Sequence, residues 1–440
     1  MRIPLVAIIG SPNSGKSTFF NKVLEERKAL TYPEAGTTRD RAYGLAAWNG
    51  LSFYLIDTAG IIGNPDSDLE KNVQKQTQIA RDEADLILYI VDGQTPVGSE
   101  DLRVAAQLKQ TKKPIVLAVN KIDTRNAKTE TAASGYLKLG LGETYAMSSI
   151  NGAGIGDLLD AVVAELKKQF DAADKNQEEG LRIAFVGKPN VGKSSLINAL
   201  LKQERLITSP IAGTTRSTVE VPFEHGGQKF ILLDTAGIKK KWNQDSDVAA
   251  AAAMQSIRTI SQADVIFFTV DASQELSVQD QIIAEQILDA QKSCVVALNK
   301  IDLLAPNDQQ RLLDTLPDYL PQMWYLPVLF ISAKTSQGLD LLLKFAIEAH
   351  RAARREIDPD ELDAFLEKIT KESMPGKMED QRAPKIYNLK QIGTAPPTFK
   401  MTVNFPAAIA TAWKRWFEKQ FRLKFGLEGT PIEIRYTKKN

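Results

Sequence analysis

Four short motifs occur twice along this chain of 440 residues, in the same order and at nearly the same spacing. Each copy contains a glycine-rich segment ending in Gly-Lys-Ser, followed by Gly-Thr-Thr-Arg, Asp-Thr-Ala-Gly and Asn-Lys-Ile-Asp. The first copies begin at Gly10, Gly36, Asp57 and Asn120, and the second at Gly187, Gly213, Asp234 and Asn299. A repeat of this length predicts two domains of one fold in tandem, because each copy is long enough to bury its own core.

Within each copy, short apolar segments alternate with helical stretches, which is typical of an α/β fold around a mostly parallel sheet. The apolar segments are Leu5–Ile9, Phe53–Ile56, Leu86–Val91 and Ile115–Val119 in the first copy, and Ile183–Val186, Phe230–Leu233, Val265–Val270 and Cys294–Leu298 in the second. Two dipeptides, Asn49-Gly50 and Gly226-Gly227, favour the positive φ angles of a two-residue hairpin. Each domain is therefore predicted to carry one antiparallel strand beside its sheet.

A polar stretch without periodicity over 171–180 is typical of a linker, so the predicted domains are 1–170, 181–352 and 353–440. The last domain is predicted to contain helices over 359–371 and 407–424, strands near 384–391 and 398–404, and a final strand after Pro431. This order indicates a small α+β domain.

The composition, 43% hydrophobic and 25% charged, is ordinary for a globular protein. The single cysteine, Cys294, cannot form an internal disulfide, which favours a reducing compartment and hence the cytoplasm. No apolar segment approaches the roughly 20 residues of a membrane helix. The apolar start over 3–9 leads directly into the first glycine-rich motif, which indicates a strand rather than a secretion signal.

Charge is distributed unevenly along the chain. Residues 377–440 carry 13 Lys/Arg and 5 Asp/Glu, a net charge of +8, whereas the rest of the chain has a net charge of −7. A basic tail on an acidic body indicates a surface for a polyanion. A solvated surface without a partner remains the alternative.

The glycine-rich motif predicts a phosphate-binding loop, because glycines let backbone N–H groups approach phosphate oxygens and the following helix offers its positive end. Lys16 and Lys193 would bind the β- and γ-phosphates, and Ser17 and Ser194 would bind Mg²⁺. The candidate loop residues are Gly10, Asn13, Ser14, Gly15, Lys16, Ser17 and Thr18 in the first copy, and Gly187, Asn190, Val191, Gly192, Lys193, Ser194 and Ser195 in the second.

Asp57 and Asp234 each end an apolar strand, at the edge where open α/β sheets bind ligands, and are predicted to hold the metal. Gly60 and Gly237 complete the same two motifs.

A threonine of each Gly-Thr-Thr-Arg motif would complete the Mg²⁺ shell when the γ-phosphate is present. The spacing leaves open whether this is the first or the second threonine, Thr37 or Thr38 in one copy and Thr214 or Thr215 in the other.

The Asn-Lys-Ile-Asp motif selects the base. Its final carboxylate can accept two hydrogen bonds from guanine N1–H and the exocyclic amine, a pair of donors that adenine lacks. The sequence therefore predicts GTP and GDP as ligands. The candidate base-site residues are Asn120, Lys121 and Asp123, and Asn299, Lys300 and Asp302.

The residue after Asp-Thr-Ala-Gly is Ile61 in one copy and Ile238 in the other. Isoleucine cannot orient a water molecule as a glutamine does, and the sequence identifies no arginine finger. Slow unassisted hydrolysis is the expectation.

With tandem motifs and a basic tail, the chain resembles the Der (EngA) family of ribosome-assembly GTPases, of the TrmE-Era-EngA-like class. The resemblance covers essentially all 440 residues. In the tail it rests on Lys385-Ile386-Tyr387, Gln391-Ile392-Gly393-Thr394, Pro396-Pro397-Thr398-Phe399 and Glu428-Gly429-Thr430-Pro431-Ile432. It implies two Ras-like P-loop domains followed by a KH-like domain, and GTP hydrolysis that supports maturation of the large ribosomal subunit.

The same resemblance implies site residues that spacing alone does not give. It places the Mg²⁺ threonines at Thr38 and Thr215, which with Lys16 and Lys193 are the candidate catalytic residues. It also suggests K⁺ binding near Asn13 and Asn190. The fifth guanine-nucleotide motif is Ser332-Ala333-Lys334 in the second copy, but Ser148-Ser149-Ile150 in the first, so a looser base site is expected there.

The tail departs from RNA-binding KH domains, because its Gly-x-x-Gly at 426–429 precedes a strand instead of joining two helices. RNA contacts are therefore expected from basic side chains of the long helix, namely Lys414, Arg415, Lys419 and Arg422.

Two other functions remain open alongside a ribosome-assembly switch. One is a tRNA-modification or trafficking GTPase, which shares the motifs but gives no reason for two copies. The other is a scaffold in which only one domain hydrolyses GTP. Under the leading interpretation the partners are the large ribosomal subunit or its precursor and ribosomal RNA, with no membrane and a monomeric state.

Overall fold

The structure is a computed structural model that describes residues 2–31, 43–58, 77–78, 81–123, 134–173, 180–203, 205–206, 220–233, 247–373 and 384–439. By their contacts the residues form two compact units. One comprises residues 2–178 with 241–261, and the other comprises 179–240 with 262–440.

The first unit contains a six-stranded sheet in the order β2-β3-β1-β4-β5-β6. Its strands are β1 Leu5–Ile9, β2 Tyr43–Trp48, β3 Leu51–Asp57, β4 Leu86–Asp92, β5 Ile115–Asn120 and β6 Thr144–Ala146. All neighbours are parallel except β2 and β3. Within its segment 2–178, this unit has the helices α1 Lys16–Thr31, α2 Ser99–Lys109 and α3 Ile155–Ala173 among the described residues.

Alternate residues of the central strands enter two cores, one on each face of this sheet. Val6 and Ile8 pack in one core with residues of α1 and α3, and Ala7 and Ile9 pack in the other with residues of α2. Because both faces are covered, the central strand β1 is apolar and buried along its whole length.

The second unit contains a seven-stranded sheet in the order β13-β12-β11-β7-β10-β9-β8. Its strands are β7 Leu181–Val186, β8 Arg205–Leu206, β9 Val221–His225, β10 Gln228–Leu233, β11 Val265–Asp271, β12 Ser293–Asn299 and β13 Val328–Phe330. Helix α4 Lys193–Gln203 belongs to this unit, whereas the next helix, α5 Asp247–Gln262, belongs to the first unit except for its last residue. Helices α6 Val278–Asp289, α7 Pro306–Tyr319 and α8 Leu339–Ala353 again belong to the second unit.

The two predicted hairpins are confirmed. Asn49 and Gly50 have φ of 44° and 80°, and Gly226 and Gly227 have φ of 56° and 78°. Both turns join antiparallel strands, β2 to β3 and β9 to β10. In the second sheet the two-residue strand β8 adds one more antiparallel neighbour beyond β9, which the sequence analysis did not predict.

The C-terminal domain has the predicted order of elements: α9 Pro359–Glu372, β14 Ile386–Gly393, β15 Thr398–Val403, α10 Thr411–Phe425 and β16 Glu433–Lys438. β15 pairs antiparallel with β14 and parallel with β16. One face of this sheet packs through Phe399 and Met401 on aromatic side chains of α10. The long helix begins at Thr411, not at 407, because residues 406–408 form a 3₁₀ turn.

Within the second unit, the C-terminal domain is joined to the sheet by backbone hydrogen bonds. Cys294 N donates to the Gly429 carbonyl at 2.8 Å, and Gly429 N donates to the Tyr325 carbonyl at 3.2 Å. Gly429, the second glycine of the Gly-x-x-Gly sequence, therefore forms part of this joint.

Arg422 also belongs to the joint, which corrects its prediction as an RNA contact. Its guanidinium is buried, donates to the carbonyls of Leu427 and Thr430 at 2.8 and 2.6 Å, and lies 3.9 Å from the centre of the Tyr325 ring. Glu418 accepts two further hydrogen bonds from it. A helical residue that points into a domain interface cannot be distinguished from an exposed one by charge alone.

Candidate nucleotide-binding sites

The glycine-rich loop of the first domain lies between β1 and α1, at the edge of the sheet where the parallel strands end. Asp57 is the last residue of β3, Asp92 of β4 and Asn120 of β5. Because the carboxyl ends of parallel strands share this edge, the predicted motifs lie around one site. The second domain repeats the arrangement with β7, α4 and the ends of β11 and β12.

The lysine of each loop is held by backbone carbonyls. Lys16 Nζ donates to the Gly10 and Ser11 carbonyls at 2.9 and 2.8 Å. Burial lowers the pKa of Lys16, an effect that the carboxylate of Asp57 opposes. A buried ammonium among carbonyls is placed to meet phosphate oxygens, which are stronger acceptors because they are charged.

Lys193 has the same position in the second loop, where its Nζ donates to the carbonyls of Gly187 and Lys188 at 2.6 and 2.8 Å. The two loops also have the same backbone conformation at their asparagines: Asn13 and Asn190 both have φ of 66°. Both residues are exposed. Thr18 and Ser195, the third residues of α1 and α4, are exposed as well.

The first site brings together two of its predicted metal ligands. Ser17 Oγ donates to Asp57 Oδ2 at 2.5 Å, and the side chain of Asp57 is buried. A hydroxyl and a carboxylate are the hard oxygen donors that Mg²⁺ prefers, so these residues fit that ion. The nearby Ser14 hydroxyl is also buried and has no hydrogen-bond partner among the described residues.

Five predicted site residues lie outside the described residues: Thr38, Gly60, Thr215, Asp234 and Gly237. Ser194, the predicted Mg²⁺ ligand of the second domain, is exposed on the first turn of α4.

The asparagine of each base motif connects three loops. Asn120 Nδ2 donates to the Ser14 carbonyl at 2.7 Å, and Asn120 Oδ1 accepts from Ser149 N at 2.9 Å. In the second domain, Asn299 Nδ2 donates to the Val191 carbonyl at 2.8 Å and Asn299 Oδ1 accepts from Ala333 N at 3.1 Å. Both asparagines are buried, so these bonds fix the phosphate loop relative to the base loops.

This contact explains one glycine in each loop. Gly15 and Gly192 have φ of 91° and 99°, and a Cβ atom on either would overlap the side-chain amide of Asn120 or Asn299. Any other residue would strain the backbone and displace that asparagine.

The lysine that follows each asparagine is tied to a carboxylate. Lys121 Nζ donates to Asp92 Oδ2, and Lys300 Nζ to Asp271 Oδ2, both at 2.6 Å. Burial alone would raise the pKa of Asp271, but hydrogen bonds from Lys300 and Ser273 lower it below the usual value.

Neither of these carboxylates, Asp92 and Asp271, was predicted from the sequence as a site residue. The signal was present, because each is the last residue of an otherwise apolar strand at the ligand-binding edge of its sheet.

The carboxylates assigned to base selection are oriented by serines of the fifth motif. Ser148 Oγ donates to Asp123 Oδ1 at 2.7 Å, and Ser332 Oγ to Asp302 Oδ1 at 2.6 Å. The first domain therefore keeps the same bond, although Ile150, which is exposed, replaces the lysine found at Lys334. The looser geometry expected from Ser148-Ser149-Ile150 is not seen in these hydrogen bonds.

Comparison with known proteins agrees with this duplicated geometry. The family model for 50S ribosome-binding GTPase matches residues 5–121 and again 182–300, and the model for the KH-domain-like C-terminal part of EngA bacterial GTPase enzymes matches 357–437. GTPase Der of Geobacillus thermodenitrificans and that of Limosilactobacillus reuteri are each 38% identical to the chain, over 99% of both sequences. The chain belongs to the GTPase Der family.

Membership of the GTPase Der family confirms the predicted fold class, two P-loop GTPase domains followed by a KH-like domain. It also makes the chain a GTP-binding switch and a GTP-hydrolysing enzyme. Among solved structures, the chain is similar to Era in complex with MgGDPNP and nucleotides 1506–1542 of 16S ribosomal RNA, at 25% identity and a TM-score of 0.32, over 60% of this chain and 94% of that one.

In the parts of the chain that the structure describes, no helix is both long enough and apolar enough to cross a membrane.

Proposed function

We propose that the chain is a two-site GTP switch that acts in maturation of the large ribosomal subunit, in the cytoplasm and as a monomer. The observation that carries the proposal is the matched pair of sites. Each domain has a loop lysine held over its phosphate loop and a carboxylate oriented by a serine, and the two domains precede a basic KH-like domain. One GTP site is enough for a switch with a single on–off cycle, so the presence of two sites favours a switch that uses both.

In this proposal Lys16 and Lys193 bind the β- and γ-phosphates, and Asp123 and Asp302 accept hydrogen bonds from guanine. The serines already occupy Oδ1 of each carboxylate, which leaves Oδ2 and the remaining lone pairs for the base. GTP is therefore preferred over ATP, because adenine would leave the carboxylate without a donor.

Mg²⁺ would be held in the first site by Ser17 and Asp57 together with Thr38, and in the second by Ser194, Asp234 and Thr215. Bound Mg²⁺ supplies charge neutralisation on the phosphates. Because Thr38 and Thr215 would join this shell only with GTP, they provide the nucleotide-dependent part of the switch.

K⁺ is proposed to supply the positive charge that an arginine finger supplies elsewhere. The exposed side chains of Asn13 and Asn190, held in the left-handed conformation, have free access to such an ion. Hydrolysis would then be faster in KCl than in NaCl, and equal rates would remove K⁺ from the proposal.

Activity in both domains distinguishes a two-site enzyme from a scaffold with one active site. Under the proposal, Lys16→Ala and Lys193→Ala each remove part of the GTPase activity and the double variant removes nearly all of it. If one single variant retains the full rate, the corresponding domain is not an active site. The similar hydrogen bonds of the two sites favour activity in both.

Co-sedimentation tests the ribosomal part of the proposal. The full chain is mixed with large ribosomal subunits in the presence of GDP or a non-hydrolysable GTP analogue. More protein should sediment with the subunits in one nucleotide state than in the other. Equal sedimentation in both states, or none in either, would contradict the proposal.

A further inference from the structure

The outer face of the C-terminal sheet carries three cationic side chains directly opposite one another. Lys390 of β14 pairs with Lys400 of β15, and Lys400 pairs with Arg435 of β16. All three side chains are exposed, and their neighbours Phe399 and Met401 point into the core on the other side. The cations therefore form one row across all three strands, on the side away from α10.

The next row on the same face is polar and uncharged: Asn388 pairs with Thr402, and Thr402 pairs with Thr437. We call these two rows the outer sheet face, which consists of Asn388, Lys390, Lys400, Thr402, Arg435 and Thr437.

This row of like charges is poorly compensated. Arg435 forms an ion pair with Glu433 on its own strand at 2.8 Å, but Lys390 and Lys400 make no hydrogen bond or ion pair with any residue that the structure describes. Lys390 and Lys400 lie opposite each other on antiparallel strands, where Cβ atoms are about 4.5–5.5 Å apart and like charges destabilise the pairing. An anionic partner would remove this repulsion.

We propose that the outer sheet face binds the sugar–phosphate backbone of a single-stranded RNA segment, an inference that rests on the proposed ribosomal function. Lysine, asparagine and threonine are side chains that bind phosphate and sugar oxygens. A protein partner is less suited to this face, since the centres of protein–protein interfaces are depleted of charged residues.

An aromatic side chain at the end of the face supports a single strand over a duplex. Tyr387 lies in the bulge of β14 between Ile386 and Asn388 and is 38% exposed. The Nζ atoms of Lys385 and Lys439 lie 5.6 and 4.2 Å from the centre of its ring. Both ammonium groups lie over the ring, so a base that stacks on its exposed part would displace a lysine towards the backbone phosphates, and only an unpaired base can make that contact.

The basic side chains of the long helix α10 are the alternative RNA-binding surface. The structure makes this alternative less favourable. Arg422 is buried in the domain joint, and Lys414 Nζ lies 4.9 Å from the centre of the Tyr436 ring. Lys419 and Lys424 remain as exposed lysines of α10. These two give a control with the same change of charge in the same domain.

The test uses the full chain and a fluorescently labelled oligouridylate, whose binding is measured by anisotropy over a salt series. Lys390→Ala/Lys400→Ala should bind about tenfold more weakly at moderate salt, and its log–log salt slope should be smaller by about 1.4, or about 0.7 for each lost contact to a single strand. Lys419→Ala/Lys424→Ala should bind like the parent chain. Lys400→Thr, which keeps a residue suited to a strand, should show about half the change in slope.

Three results would overturn the inference. The first is a sheet variant that binds as tightly as the parent, and the second is a helix variant that loses as much affinity as the sheet variant. Binding of labelled poly-glutamate as tight as that of the oligouridylate would show that any polyanion is accepted. GTPase rates equal to the parent's and urea midpoints no lower than the parent's establish that each variant has folded.

The RNA-binding test of the outer sheet face and the co-sedimentation test of the proposed function can fail independently. If the parent chain sediments with large subunits according to its nucleotide while the sheet variant keeps full RNA affinity, the outer sheet face is wrong and the switch stands. If the sheet variant loses RNA affinity but the parent never sediments with ribosomal particles, the surface stands and the ribosomal role is wrong.

Discussion

Asn120 Nδ2 donates a 2.7 Å hydrogen bond to the carbonyl of Ser14, so the base motif of the first domain directly supports its phosphate loop. Asn299 and Val191 repeat this relationship in the second domain at 2.8 Å. The asparagine at the start of each Asn-Lys-Ile-Asp motif is therefore a positioning residue for the phosphate loop. Its loss should weaken binding of the whole nucleotide and not only discrimination between bases.

Asn120→Ala should weaken GTP binding by the first domain about tenfold to a hundredfold. The change leaves the Ser14 carbonyl and the Ser149 N–H without partners inside the protein, at a cost of about 1–3 kcal/mol. Titration of a fluorescent GTP analogue measures the effect, in a chain whose second site is disabled by Lys193→Ala.

The control for Asn120→Ala is Ser149→Ala, which removes one hydroxyl donor to Asn120 Oδ1 but keeps the backbone bond. It should change affinity less than threefold, that is by less than about 0.7 kcal/mol. Parent-like affinity in Asn120→Ala would show that the asparagine does not support the loop.

Gly192→Ala should abolish GTP binding by the second domain. Its φ of 99° is unfavourable for alanine, and the added methyl group would overlap the Asn299 amide. Gly227→Ala is the matched control, because Gly227 also has a positive φ, 78°, but faces open space. With the first site disabled by Lys16→Ala, calorimetry should find no GTP binding in the first variant and normal binding in the second. Similar affinities would show that the overlap is relieved by a small movement.

Arg422→Met should destabilise the second unit by about 2–4 kcal/mol, because it leaves Glu418 and two buried carbonyls without their donor. Lys424→Met, two residues further along the same helix, removes an exposed charge and should have little effect. Urea unfolding followed by tryptophan fluorescence reports the difference.

A second measurement applies to Arg422→Met. Cys294 is buried beside Gly429, and burial raises the pKa of its thiol to about 12, so the thiol is inert in the intact joint. Since it is the chain's single cysteine, faster reaction with a thiol reagent reports opening of the joint directly. Unchanged stability and thiol reactivity would mean that the joint does not depend on Arg422.

His350 should make the second unit less stable in mild acid. Burial and the neighbouring Arg354, which donates to His350 Nδ1 at 2.7 Å, lower the pKa of the imidazole to about 4 against the attraction of Asp264. Between pH about 6.5 and about 4 the unfolded chain therefore binds a proton that the folded chain does not, and stability falls as the pH falls through this range.

His350→Gln removes that proton while keeping a group that can accept from Arg354. Because His350 is partly exposed, the difference in free energy of unfolding between parent and variant should change by only about 1 kcal/mol between about pH 6.5 and about pH 4. Urea midpoints at several pH values measure it. A constant difference would show that His350 protonates equally in both states.

Much of the fold followed from the sequence, because the strands of a covered parallel sheet are continuous apolar runs and the hairpin dipeptides have restricted conformations. The strands β6 and β13 were not predicted, since three residues are too short to show a pattern. The start of α10 was placed too early because Pro406 is compatible with the first turn of a helix.

The candidate sites were predictable to a similar degree. Motif spacing gave the loop lysines and the base motifs, but not Asp92 and Asp271, which lie outside the motifs. For Arg422 the sequence predicted too much. Its charge indicated an exposed RNA contact, and only its contacts with Tyr325 and Thr430 in the structure show that it is buried.

Strand β12 connects the joint to the second nucleotide site. Near its start, Cys294 and Ser293 bond to Gly429 and Thr430 of the C-terminal domain, and at its end Asn299 braces the phosphate loop. Every residue between them is buried, so the strand is a stiff rod about 20 Å long. A force applied to the C-terminal domain by a large bound particle would therefore be transmitted along β12 to the phosphate loop, because this buried strand cannot stretch or bend.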